Sequence, residues 1–213
     1  MPIHEFGKQE YVIAELPETP WAYSYSAKGL EEELNRLLTS QRIQAIFVSL
    51  DGYLEALHYV QNCIDLSYMG GPALIVMENM VLELAIHAEG MIEYRLFPSR
   101  DLTIRRVYDY PPDDMLTGDY FYDISKHDIT FDYIGRRIRD ISVKGTDTWG
   151  FEHPSFDEAI AEAAARKNDL PTEICFRTDT CVIRFVGSDI EYYLVFFETP
   201  ERHAHKMKGE GKA

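Results

Sequence analysis

The chain has 213 residues, 46% hydrophobic and 13% aromatic, which is enough for one large domain or two small lobes around a real core and too apolar for a disordered chain. Its formal charge is −15; an acidic surface does not displace counterions from duplex DNA or anionic lipid, so neither a nucleic acid nor a membrane is an expected partner, and a basic protein is the class the charge favours. No apolar run approaches the roughly 20 residues that cross a bilayer, and MPIHEFGKQE has neither a basic start nor an export segment, so a cytoplasmic protein is expected.

The first expected helix is carried by LEEELNRLL from about Leu30, with Leu34, Leu37 and Leu38 on one stripe and Ser26 placed to cap it. Arg42 to Val48, RIQAIFV, opens a unit expected to be built on antiparallel strands. Residues 51–65 read two ways: Leu54, Leu57 and Ile64 fit a helix, whereas Asp51-Gly52 between apolar runs signals a hairpin. Gly70-Gly71-Pro72 is a turn ahead of the next strand. In MVLELAIHAEGMIEYRLF, a loop of Ala88-Glu89-Gly90 predicts the pairs Ile86 with Ile92, Leu84 with Tyr94, Leu82 with Leu96 and, on the polar face, Glu83 with Arg95.

Tyr108 to Asp123, YDYPPDDMLTGDYFYD, then interrupts the alternation. Pro111-Pro112 resists helix and central strand alike and Gly118 permits a turn, so the segment is expected to be an acidic, aromatic connector. Further on, Ser155 and Glu158 form a capping box for a helix over 156–168. Gly187-Ser188, taken as a two-residue turn, pairs Phe185 with Ile190, Ile183 with Tyr192 and Arg184 with Glu191. The last twelve residues are basic and are expected to be disordered.

Three landmarks recur in one order: R-I-x-x-I-x-V at Arg42 and Arg137, PALI and PTEI at Pro72 and Pro171, IEYRL and IEYYL at Ile92 and Ile190. The expected architecture is therefore α+β, with two related, mainly antiparallel β lobes and a few helices. The first lobe covers 1–107, the connector 108–123, the second lobe 124–201 and the tail 202–213.

Chemical motifs are sparse. Cys63, Cys175 and Cys181 form no CxxC pair, the seven His are scattered without zinc spacing, and neither a GxSxG elbow nor a Gly-rich phosphate loop occurs, so no metal, cofactor or catalytic residue is assigned. Glu83, His87 and Glu93 on a polar sheet face are the one candidate set for acid–base work, although a solvated sheet face carries such charges by default.

The binding residues expected are Tyr108, Asp109, Tyr110, Asp113, Asp114, Asp119, Tyr120 and Tyr122. Tyrosine rings give rigid contact area and clustered aspartates attract a basic surface. The flanking Arg100, Arg105, Arg106, Arg136, Arg137 and Arg139 could neutralise that charge internally. In general character the chain resembles the small acidic immunity or antitoxin proteins of bacteria, which neutralise a basic toxin by occupying its surface; the likeness is one of charge and size, carried by no motif. A non-catalytic binding protein is thus the expected function, against an enzyme using carboxylates on the sheet or a structural subunit that oligomerises through sheet edges.

Overall fold

A computed structural model describes residues 9–24, 26–49, 53–60, 63–69, 72–86, 92–109, 120–126, 133–146, 170–187 and 192–198. In chain order the elements are β1 (Gln9–Glu15), β2 (Ala22–Tyr23), α1 (Ala27–Leu38), β3 (Ile43–Ser49), β4 (Tyr53–Val60), β5 (Cys63–Met69), β6 (Ala73–Met77), β7 (Met80–Ile86) and β8 (Ile92–Pro98). They continue as β9 (Thr103–Asp109), β10 (Tyr120–Asp123), β11 (Asp140–Thr146), β12 (Leu170–Arg177), β13 (Cys181–Gly187) and β14 (Tyr192–Glu198). The described chain is mostly antiparallel β-sheet with one α-helix, broadly α+β.

Among the described residues two sheets form, one of eight strands in the order β2-β8-β7-β6-β3-β10-β1-β9 and one of six in the order β11-β12-β13-β14-β5-β4. Each contains a four-stranded run of the same connectivity, β3-β6-β7-β8 and β11-β12-β13-β14. The hairpin β4-β5, from the front of the chain, pairs through β5 with β14 near the back. Tyr53–Val60 and Cys63–Met69 are therefore strands that pair with each other, Val60 directly with Cys63, while β3 pairs with β6 and β10 rather than with β4.

Alternation sets which side chains go where. On one face of the larger sheet Ile46, Val48, Ile75, Leu82, Leu84 and Ile92 pack with Leu30, Leu34 and Leu38 of α1 and with Ile174, Phe176, Ile183 and Phe185 of the other sheet, so one core lies between the layers. Burying each such side chain stabilises by about 1.5–3 kcal/mol. The opposite face of the larger sheet carries a second cluster of Val12, Ala14, Phe47, Leu74, Val81, Phe97 and Phe121.

Helix α1 starts at Ala27, three residues before the expected start, because Ser26 is extended and its hydroxyl accepts from the Gly29 amide at 3.2 Å. Its stripe is Leu30, Leu34 and Leu38, with Leu37 only partly buried. The helix also closes a sheet edge. Strand β11 is terminal, and Asn35 of α1 accepts from the Ile141 amide at 2.9 Å and donates to the Ile141 carbonyl at 2.5 Å, while Glu31 accepts from the Val143 amide at 2.9 Å. Side chains thus do for β11 what a further strand would do.

The β7-β8 register is the expected one throughout, including Glu83 opposite Arg95. The β13-β14 register is not. Phe185 pairs with Leu194, Ile183 with Phe196 and Arg184 with Val195, four positions further along β14 than a Gly187-Ser188 turn would give. A shift of four preserves parity, so the apolar alternation in the sequence is satisfied equally by both registers. The capping-box helix over 156–168 and the basic tail lie outside the described residues.

Candidate functional site

The acidic segment leaves and re-enters a single sheet. Strands β9 and β10 flank β1 on its two sides, with Asp109 beside Gln9 and Tyr120 beside Ile13. Both ends of the stretch expected to be irregular are therefore strand: Tyr108 and Asp109 finish β9, and Tyr120 to Asp123 form β10. Phe121 is wholly buried and Tyr122 packs against the larger core.

Strand β9 is the last of the eight and is exposed along most of its length. Ile104, Arg106 and Tyr108 share one face by alternation, and Tyr108 is 70% exposed. Arg106 between them bonds Asp123 at 2.5 Å and Glu10 at 3.1 Å. The Asp123 hydrogen bond raises the pKa of Arg106 further above its usual range, so the guanidinium stays charged. Asp123 is itself almost buried and accepts from the Ser125 amide at 3.0 Å, which turns the chain out of the sheet. On the other face the Tyr11 and Tyr120 rings lie 6.0 Å apart and tilted by 59°. Burial, then the charge of Asp109, pushes the Tyr11 phenol up.

Of the eight expected binding residues, Tyr108 and Asp109 are exposed on β9, Tyr120 and Tyr122 are strand residues inside the sheet, and Tyr110, Asp113, Asp114 and Asp119 lie outside the described residues. Glu10, Tyr11 and Ile104 join this region although nothing in the local sequence marks them. Only the pairing of β1 with β9, some ninety residues apart, brings them there. Arg106, one of the flanking arginines, meets Asp123 of the acidic stretch as expected of a neutralising partner. Arg100 pairs with Asp101, and Arg139 with Asp179.

Of the acid–base candidates, Glu83 and Glu93 share one face of the β7-β8 pair, with Glu93 opposite Ala85. His87 lies outside the described residues. Glu83 is fully buried, takes one bond from Arg95 at 2.5 Å on Oε2, and has no partner for Oε1 among the described residues. Burial raises its carboxyl pKa above the ordinary value, and the Arg95 bond only partly offsets that. Arg95 is held over Trp21, 4.6 Å from the ring centroid, and donates to the Thr19 carbonyl at 3.3 Å. Residues 16–21, the link from β1 to β2, thus meet this face of the sheet.

Glu173 of β12 forms the counterpart in the smaller sheet. It receives Arg184 on both oxygens, with Lys144 at 3.1 Å and the Cys175 thiol at 2.9 Å on Oε1. Burial works against ionisation here too, but the hydrogen bonds from Arg184, Cys175 and Lys144 outweigh it and hold the carboxyl at about 2. Burial and the adjacent carboxylate push the Cys175 thiol up to about 11, which leaves it a poor nucleophile at neutral pH.

Among the described residues no group of three His, Cys, Asp or Glu could hold a metal ion, and no helix is long and apolar enough to cross a membrane. No family model, curated protein or solved structure matches this chain.

Proposed function

We propose that this chain is a non-catalytic, cytoplasmic protein-binding module that meets a basic partner at the acidic, tyrosine-rich segment and its β9 root, in the manner of an immunity or antitoxin protein. The observation that carries the reading is the exposed Ile104–Tyr108 face of a terminal strand leading directly into the acidic segment. An aromatic ring 70% exposed beside clustered carboxylates offers contact area and electrostatic attraction together. The described carboxylate partners of Arg100, Arg106 and Arg139 are Asp101, Glu10, Asp123 and Asp179, of which Asp123 belongs to the acidic stretch itself.

The test is affinity capture from the native host at low salt, with the wild-type chain beside one carrying Asp113→Asn, Asp114→Asn and Asp119→Asn and another carrying Tyr108→Ala. A partner released by salt and lost with the substitutions is expected. Equal recovery on all three chains removes the segment from consideration. A second reading, a subunit that oligomerises by edge pairing, is favoured by the absence of a described strand on the outer side of β9. A concentration-dependent dimer in sedimentation, with no captured protein, would select it.

We further propose that the chain is built from two related units. The shared order β3-β6-β7-β8 and β11-β12-β13-β14 supports this, because the three recurring sequence landmarks fall on or beside the first, second and fourth strands of each run.

A further inference from the structure

If the two units are related, the contacts between them need not be. Two copies fused in tandem could meet through any pair of surfaces. Two of the described contacts between the halves instead join positions to their own counterparts.

Arg42, the first residue of one R-I-x-x-I-x-V landmark, bridges antiparallel to Arg137, the first residue of the other, 95 positions on (137 − 42). The hydrogen bonds around this bridge come in matched pairs at the same offset. The Ile43 amide donates to the Arg136 carbonyl at 2.9 Å, and the Ile138 amide to the Gln41 carbonyl at 2.8 Å. The Ser40 amide donates to the Ile138 carbonyl at 2.8 Å, and the Gly135 amide to the Ile43 carbonyl at 2.7 Å. The turns that lead in match as well: Gln41 to Leu38 at 3.1 Å, and Arg136 to Tyr133 at 3.2 Å. Ser40 and Gly135 both adopt left-handed backbone, φ 77° and 78°, and among the described residues no others have positive φ.

The correspondence extends outward from the bridge. Ile46 and Ile141, the second isoleucines of the two landmarks, each have both backbone groups taken by one polar side chain from the other unit. Ser125 serves Ile46 at 2.7 and 3.3 Å, and Asn35 serves Ile141 at 2.9 and 2.5 Å. Strand β1 pairs with β9 about the couple Val12 and Arg106, 94 positions apart (106 − 12), so that the first residue of each strand meets the last of the other. Any antiparallel pair has a local two-fold axis. Chain offsets that agree within one residue at two separate pairings are not required by that geometry; a true isologous contact, in which residue i meets j and j meets i, does require them.

We infer that residues 9–15 with 38–46 and residues 103–109 with 133–141 are two copies of one self-complementary surface, each built to fit a second copy of the same unit. The inference rests on the doubled-unit reading and is independent of the proposed basic partner. The halves differ beside this seam in what covers the edge: α1 lies along β11, whereas strand β10 pairs with β3.

Native-state amide exchange on the full chain tests it, since exchange reports the opening of individual hydrogen bonds. Ser40→Gly makes the two left-handed positions chemically alike. A valine is then introduced on one side, by Ser40→Val, or on the other, by Gly135→Val in the Ser40→Gly chain; a β-branched side chain is disfavoured at positive φ. The symmetric seam predicts that each lesion, relative to Ser40→Gly, accelerates the Ile43 and Ile138 amides alike, and that the two lesions agree within about twofold. Acceleration confined to the side of the lesion, or one lesion acting more than about tenfold harder than the other, overturns the inference. Should a valine chain not fold, Ser40→Gly itself decides: it is expected to slow both amides by the same factor, and slowing of one alone overturns the inference. Loss of the doubled-unit reading would appear differently, as two four-stranded runs that do not superpose in an experimental structure.

Discussion

Glu83 in the larger sheet and Glu173 in the smaller one both sit low in solvent exposure and both meet an arginine from the neighbouring strand, yet their acidities move in opposite directions. Burial raises both. What differs is the number of donors. Glu83 has one described donor and an oxygen without a partner among the described residues; Glu173 has three donor side chains spread over both oxygens. A carboxylate removed from water stays readily ionised only when its lone pairs are filled, so the sign of the shift follows the hydrogen-bond count rather than the presence of an ion pair.

The contrast can be broken most severely at Arg95. Arg95→Met leaves Glu83 buried without its described partner and is expected to cost about 3–5 kcal/mol in urea unfolding. Arg184→Met should cost clearly less, because Lys144 and Cys175 still reach Glu173; equal losses would mean that donor count does not decide the matter. Pairing Arg95→Met with Glu83→Leu should recover most of the loss, within about 1–2 kcal/mol of wild type, since a hydrophobic replacement of a buried pair is often neutral, while the stacking of Arg95 on Trp21 and its bond to the Thr19 carbonyl remain forfeited.

Acid titration sharpens the comparison further. Glu173, held at about 2 against an ordinary 4.5, contributes stability that is complete above 4.5 and is lost as pH falls toward 2. Glu83, with its value raised, contributes in the opposite sense: its share is greatest below the ordinary carboxyl value and declines as pH rises through the raised one. Urea midpoints measured across this range should therefore fall less steeply toward acid in Glu173→Gln, and more steeply in Glu83→Gln. The smallest effect is expected at Lys144, whose side chain is 66% exposed: Lys144→Met should change stability by less than about 1 kcal/mol.

Where the determining interactions are close in sequence, the sequence alone is sufficient. The β7-β8 pairing, with Glu83 opposite Arg95, follows from period-two alternation on either side of a short glycine-containing loop, because few other closures bury one face. The α1 stripe and its Ser26 cap follow from helical spacing and from the need to satisfy the first amides. The chain's strong negative charge and the antiparallel character of its strands are likewise properties of composition and alternation.

Tertiary structure decided what alternation leaves degenerate. The β13-β14 register moved by an even number of residues, to which apolar patterning is blind. The β4-β5 hairpin took β14 as its partner, a choice that no window of local sequence contains. Tyr120 and Tyr122, expected in a loop, became strand residues because β1 and β3 offered backbone donors and acceptors on either side of them. Ser125 and Asn35, unremarkable in sequence, acquired their roles from the backbone groups of Ile46 and Ile141. Local spacing fixes which face a side chain presents, whereas the identity of the surface it meets depends on contacts made across the length of the chain.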